Sequence, residues 1–143
     1  PLDLEARGAM AMAALMGATA FQKGLGGVHA ISHALGGLAG YRLHHGTLSG
    51  ILLPHVLAFN APAVGHRYAA LKRAMGVPDG VDLGDAVARL AARVGMPTRL
   101  AELGVDRAAI DRAAPLAERD HTNGTNPRRA GVDDYRRILQ AAL

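Results

Sequence analysis

The chain has 143 residues, no cysteine and a formal net charge of +4; half of its residues are apolar and 3% are aromatic. This length allows one domain with a substantial core, and the lack of cysteine excludes disulfides and thiolate metal sites. The basic residues are interleaved with Asp and Glu and lack the accompanying aromatic residues of a nucleic-acid surface, so we expect no nucleic-acid partner.

The apolar composition favours helices over a sheet. With so few aromatic residues the core must consist of Ala, Leu, Val and Met, and Val and Ile never form alternating runs. The uncharged run over residues 8–21 is shorter than the ~20 residues that a membrane span needs. No basic leader precedes it, so we expect a cytoplasmic protein that binds no membrane. The start at Pro1 without Met suggests a piece of a longer chain.

The first half of the chain predicts four helices. Asp3 is the expected N-cap of a helix over residues 4–21, which the glycines at 24, 26 and 27 end. A second helix is expected over residues 28–38 and a third over 46–53. Pro54 should kink or split the third, with residues 55–59 continuing to a stop at 60–62. A further helix is expected over residues 63–75, followed by a turn at 77–80.

The second half predicts four more helices and one loop. Asp82 should cap a helix over residues 83–94, and Thr98 a short helix ending at Gly104. Asp106 should cap residues 107–119, and Asp133 the last helix, 134–143. Residues 120–129 have the composition of a loop. The predicted fold is therefore all-α, a bundle of about eight helices over residues 1–143.

Histidines are concentrated in residues 24–60, which hold five of the seven and only one formally charged residue. His29 and His33 are four apart and so share one helix face, while His45 lies on the next segment. Three imidazoles that converge in this way can form a metal site or a proton-transfer site. The alternative is that each histidine is an ordinary hydrogen-bonded core or surface residue.

The other histidines carry weaker predictions. His44 would point away from its neighbour, so only one of that pair is expected to be a ligand. A structural role suits His55, which follows a proline, and a solvated position suits His66 beside an arginine. His121 lies in the Asn/Gly loop, where it could face either a cleft or solvent.

Several segments of the chain together resemble the iron-containing (group III) alcohol dehydrogenases. The motifs GLGGVHAISHALGG, HHG and LLPHVLAFN resemble that family's signature. The resemblance extends to LEARGAMAMAALMGATAF before it, and to GMPTRLAELGV, DHTNGTNPRR and DDYRRILQAAL after it. It implies that residues 1–143 are the C-terminal helical metal-binding domain, similar to the α domain of dehydroquinate synthase. The N-terminal dinucleotide-binding domain would then be absent from this chain.

The resemblance also implies residue roles. By matching motifs, His29 and His45 take two metal-ligand positions, while an Asp and another His come from outside this segment. His33 takes the position of a catalytic histidine assigned to proton relay or substrate positioning. The implied cofactors are Fe2+, with Zn2+ or Ni2+ also suited to such ligands, and NAD or NADP bound mainly by the other domain. A homo-oligomer is also implied.

The chain departs from the family pattern in three places. The spacing from His33 to His45 is longer than in the members compared, which leaves His44 as a rival ligand. His121 stands where several members have Cys or another small polar residue, and no GGGS-type phosphate loop is present.

The implied activity is interconversion of an alcohol with an aldehyde or ketone by metal-assisted hydride transfer, for which this segment alone should be inactive. The alternatives are a relative that reduces maleylacetate or oxidises sugar acids, and a non-enzymatic helical binding or assembly module.

Overall fold

The computed structural model describes residues 2–143, in which there are six α-helices, three 3-10 helices and no β-strand. The α-helices are α1 (Leu4–Ala20), α2 (Gly27–Gly36), α3 (His45–Ala74), α4 (Leu83–Arg93), α5 (Arg107–Arg119) and α6 (Val132–Ala142). The 3-10 helices are Phe21–Lys23, Leu100–Leu103 and His121–Thr125. The predicted all-α fold is confirmed, although α-helices number six within this range instead of about eight.

The core lies where α2 packs against α3 and α5, with α6 closing it against α5 and α3. Ile31 and Leu35 of α2 are fully buried here, as are Leu48 and Leu52 of α3. Burying each such side chain stabilises the fold by about 1.5–3 kcal/mol. The face of α5 consists largely of fully buried alanines, namely Ala109, Ala113, Ala114 and Ala117. Their small size lets the helices approach closely.

Most of the predicted helix caps are observed. The carboxylates of Asp3, Asp82 and Asp106 accept backbone N–H groups at 2.9, 3.0 and 2.8 Å respectively. The prediction for α6 is wrong, because this helix begins at Val132 and its N-cap is Gly131, whose N–H donates to Asp134.

The segment after α4 also differs from the prediction. Thr98 does not cap a short α-helix: its N–H and hydroxyl both donate to the Glu102 carboxylate. Residues 100–103 instead form a single turn of 3-10 helix that ends at Gly104, whose φ is +77°. The predicted loop after α5 contains the 3-10 helix His121–Thr125.

The predicted split at Pro54 and the predicted stop at residues 60–62 are wrong, since α3 runs unbroken for 30 residues with two prolines inside it. Each proline removes one backbone hydrogen bond. Five buried residues hold the helix on both sides of Pro54: Leu48, Ile51, Leu52, Val56 and Asn60. Packing along this length therefore outweighs the local preference for a break. By length and composition α3 is also the one helix within residues 2–143 that could cross a membrane, but it packs against α2, α4 and α6.

The first helix, α1, has no buried residue among its 17. Its apolar side chains are exposed, including Leu4 (77%), Met10 (70%) and Met16 (65%). Within residues 2–143, no other helix buries these side chains.

Candidate metal and proton-transfer site

Three histidines meet where α2 packs against the first turn of α3. His29 and His33 lie one turn apart on α2, and His45 is the first residue of α3. The ring centroids are 5.2 Å apart for His29 and His45, and 5.8 Å apart for His33 and either of the other two. The convergence predicted from the sequence spacing is therefore present in the fold.

The structure separates His44 from His45. His44 is the N-cap of α3, and its Nδ1 accepts the Thr47 backbone N–H at 3.3 Å. Its side chain is exposed and caps the N-terminus of α3, whereas the ring of His45 lies against that of His29. Of the two rivals, His45 is the one that the fold brings to the other histidines.

Ser32 lies between the two histidines of α2 in sequence and contacts both His29 and His45. Its hydroxyl oxygen is 3.2 Å from the backbone oxygen of His29 and 3.3 Å from Nδ1 of His45. The serine is only 2% exposed. It is absent from the residues predicted for the site, because a serine on a helix face has no distinguishing spacing.

Asp120 holds His33 from the end of α5. Its Oδ2 lies 3.1 Å from Nδ1 of His33, and its Oδ1 accepts the backbone N–H and hydroxyl of Thr122 at 2.8 and 2.6 Å. An ionised carboxylate only accepts, so Nδ1 of His33 is the donor and Nε2 of the neutral ring is free to accept a proton. Burial raises the pKa of Asp120, but the hydrogen bonds from Thr122 and His33 outweigh it and the net pKa is lowered.

The remaining histidines are peripheral. His121 is 84% exposed on its side chain and stacks on His33 with ring centroids 6.1 Å apart. His66 is exposed, as expected from its neighbours. His55 is half-buried and borders a different cavity, of about 520 Å3, between α3 and α4. Burial lowers the pKa of His55.

His29 and His45 fit a metal site whose remaining ligands come from outside the described residues. A ligand nitrogen about 2.1 Å from a shared ion puts two imidazole centroids about 5 Å apart, which agrees with the spacing of His29 and His45. Burial, followed by the nearby rings of His45 and His33, lowers the pKa of His29 and so favours the neutral form that binds metals. Within residues 2–143, however, no group of three or more His, Asp or Glu side chains could hold an ion.

A cavity of about 570 Å3 opens beside His29. Apolar side chains of α3 form one wall, including Leu53, Val56 and Leu57, and the glycine-rich entry to α2 forms another. Such a mainly apolar space beside a cluster of imidazoles suits the carbon skeleton of a small molecule.

Asn126 fixes the entry to α2 from the far end of the chain. Its Oδ1 accepts the Gly27 N–H at 3.0 Å and Nδ2 of Asn60 at 3.1 Å. Its Nδ2 donates to Oδ1 of Asn60 at 2.8 Å and to the backbone oxygen of Arg128 at 2.6 Å. A β-carbon at Gly26 would lie 2.9 Å from Asn126 Oδ1. The glycine there accommodates this loop, a reason that the sequence alone did not reveal.

Comparison with known proteins gives consistent matches along the chain. The model of the "Fe-containing alcohol dehydrogenase family, C-terminal" matches residues 1–143. A 4-hydroxybutyrate dehydrogenase of Cupriavidus necator is 46% identical over 99% of this chain and 39% of its own length. A 1,3-propanediol dehydrogenase of Citrobacter freundii is 37% identical over 99% of the chain and 38% of its own length. A maleylacetate reductase of Burkholderia cepacia is 36% identical over 99% of the chain and 39% of its own length.

Solved structures agree with these matches. A 1,3-propanediol oxidoreductase has a TM-score of 0.75 and 33% identity, covering 83% of this chain and 33% of its own. An alcohol dehydrogenase from Oenococcus oeni has a TM-score of 0.74 and 34% identity, with the same coverage. The chain thus spans about two fifths of the length of the curated relatives it matches.

Proposed function

The chain belongs to the iron-containing alcohol dehydrogenase family, and from this premise we propose that it is the C-terminal, metal-binding domain of an NAD(P)-linked oxidoreductase. The proposed reaction interconverts an alcohol with an aldehyde or ketone. The observation that carries the proposal is the convergence of His29, His33 and His45 beside an apolar cavity. These are the three residues that the family motif assigns to metal binding and proton handling.

In this proposal His29 and His45 hold a divalent metal, Fe2+ by family and Zn2+ or Ni2+ by ligand type. When bound, such a metal supplies a Lewis acid that polarises the substrate oxygen. Burial lowers the pKa of His29, which favours the unprotonated nitrogen that a metal ligand needs. Further ligands come from outside this chain, because its described residues offer no third one in place.

His33 handles the proton of the substrate hydroxyl. Its Nδ1 donates to Asp120, so Nε2 is the atom that takes up a proton during oxidation and returns it during reduction. Asp120 stabilises the imidazolium that forms and fixes the orientation of the ring. The exposed ring of His121 stacks on His33, with ring centroids 6.1 Å apart.

The dinucleotide-binding half is proposed to be a separate domain of the same protein. Two observations support this: the chain spans about two fifths of its relatives, and the apolar side chains of α1 have no cover within residues 2–143. That second half would supply NAD or NADP and the remaining metal ligands. We further propose a cytoplasmic homo-oligomer with no nucleic-acid or membrane partner.

The first substrates to test are short diols and ω-hydroxy acids, because relatives named for 1,3-propanediol and 4-hydroxybutyrate match almost the whole chain. Reduction of maleylacetate is the second candidate, favoured by the relative that carries that name.

The test is NAD(P)-linked oxidation of these substrates, followed by absorbance of the reduced cofactor, in the longest natural form of the protein. We expect turnover that a chelator abolishes and Fe2+ restores. We expect residues 1–143 alone to be inactive. Turnover by residues 1–143 alone would contradict the two-domain proposal, and a loaded, folded long form that oxidises or reduces none of these compounds would contradict the proposed activity.

A further inference from the structure

We propose that Ser32 is a positioning residue that fixes the tautomer and orientation of His45, so that Nε2 of that ring faces the site shared with His29. The inference rests on the proposed metal-binding function and adds a residue that the sequence pattern does not assign. Ser32 is nearly fully buried on α2, with its hydroxyl between the backbone oxygen of His29 and the ring of His45.

The tautomer follows from counting protons. A hydroxyl has one proton to donate, and the carbonyl oxygen of His29 can only accept. When Ser32 donates to that carbonyl at 3.2 Å, its own oxygen is left to accept from Nδ1–H of His45 at 3.3 Å. A neutral imidazole carries one N–H, so a proton on Nδ1 leaves the lone pair of Nε2 free to bind a metal.

The reverse arrangement is incompatible with a ligand role for this ring. If Ser32 donated to Nδ1 of His45, the proton would sit on Nε2 and neither ring nitrogen would have a free lone pair. The two arrangements therefore place the ring proton of His45 on different nitrogens, Nδ1 in the first and Nε2 in the second.

The helix itself does little to fix the orientation of the His45 ring. It is the first residue of α3 and is exposed, so no preceding turn of helix confines its ring. Hydrogen bonds to the non-ligating nitrogen of a metal-binding histidine typically change metal affinity by about 10–100-fold. At 3.3 Å we expect Ser32 to act at the lower end of this range.

The chain offers a matched control for this hydroxyl. Ser49 also hydrogen-bonds His45, but to its backbone oxygen at 2.9 Å and not to its ring. Ser32→Ala and Ser49→Ala thus each remove one hydroxyl group that hydrogen-bonds His45. The hydroxyl of Ser32 bonds the ring, and that of Ser49 bonds the backbone oxygen.

The experiment uses the longest natural form of the protein with its metal removed. Co2+ affinity is measured by competition with a chelator for the unchanged protein, Ser32→Ala, Ser49→Ala and His29→Ala. We expect about ten-fold weaker Co2+ binding for Ser32→Ala and no change for Ser49→Ala. Equal affinities of Ser32→Ala and the unchanged protein would overturn the proposal.

Nitrogen-15 NMR of the histidine rings, recorded on the metal-free protein, gives an independent reading. We expect the proton of His45 on Nδ1 in the unchanged protein, and a mixture of tautomers in Ser32→Ala. A proton on Nε2 in the unchanged protein would overturn the proposal even if Ser32→Ala failed to fold. If His29→Ala binds Co2+ as tightly as the unchanged protein, the proposed metal site itself fails, while the NMR result still decides the tautomer.

Discussion

Replacing Asn126 by Ala tests how the entry to α2, and with it the site, is held in place. The substitution removes four hydrogen bonds, two to Asn60, one to the Gly27 N–H and one to the backbone oxygen of Arg128. Three of the groups left behind are buried: the Gly27 N–H and both polar atoms of the Asn60 amide. Each buried polar group without a partner costs about 1–3 kcal/mol.

The expected loss lies near the lower end of the sum, because the adjoining cavity admits water to some of these groups. We expect the free energy of unfolding to fall by about 3–4 kcal/mol, a large part of the ~5–15 kcal/mol that a domain possesses. Urea denaturation of the longest natural form of the protein measures this change. Asn126→Asp should recover part of it, because a carboxylate still accepts from Gly27 and Asn60 but cannot donate.

Gln22→Ala is the control, since it removes an exposed amide whose one hydrogen bond, to Ala18, is 3.5 Å long. Its effect should stay within about 0.5 kcal/mol. A loss below about 1 kcal/mol for Asn126→Ala would refute the reasoning, because the network would then not hold the entry to α2.

Three further predictions concern pH, backbone geometry and the proton-handling residue. Burial lowers the pKa of His55 below the 6.5 of an unfolded chain. Between the folded and unfolded pKa values the unfolded state binds more protons, so the free energy of unfolding falls as pH falls. His55→Gln should flatten that part of a curve of stability against pH. Gly24 has a φ of +119°, and a β-carbon there would lie 2.8 Å from Thr125. Thermal unfolding should therefore show Gly24→Ala destabilised by about 1–3 kcal/mol, and Gly8→Ala, which has open space, unchanged or stabilised. In the proposed mechanism Asp120 orients the His33 imidazole and is not a metal ligand, so Asp120→Asn should lower kcat about ten-fold with metal content unchanged. Loss of metal in this variant would contradict that division of roles.

The sequence predicted those parts of the molecule that depend on local patterns. Helix periodicity and capping carboxylates located the starts of α1, α4 and α5, and the i, i+4 spacing put His29 and His33 on one face. The proline rule failed in α3, because buried residues on both sides of Pro54 hold the helix together and no local pattern records that packing.

The residues that hold the site in place from distant parts of the sequence could not be predicted in the same way. Asp120 is 87 residues from His33, and Asn126 is 99 residues from Gly27. Neither contact leaves a trace in local spacing, since it exists only after α2, α5 and the loop after α5 have packed together. The different positions of His44 and His45 also depend on the fold, because the ring of His44 caps α3 whereas the ring of His45 lies against that of His29.

The most direct test of the central claim is the metal content of the longest natural form of the protein after anaerobic loading with Fe2+ and removal of free metal. We predict stoichiometric metal in the unchanged protein and in His44→Ala, and loss of metal in His29→Ala and in His45→Ala. Full metal content in both of the last two variants, each correctly folded, would contradict the claim that these two imidazoles hold the ion.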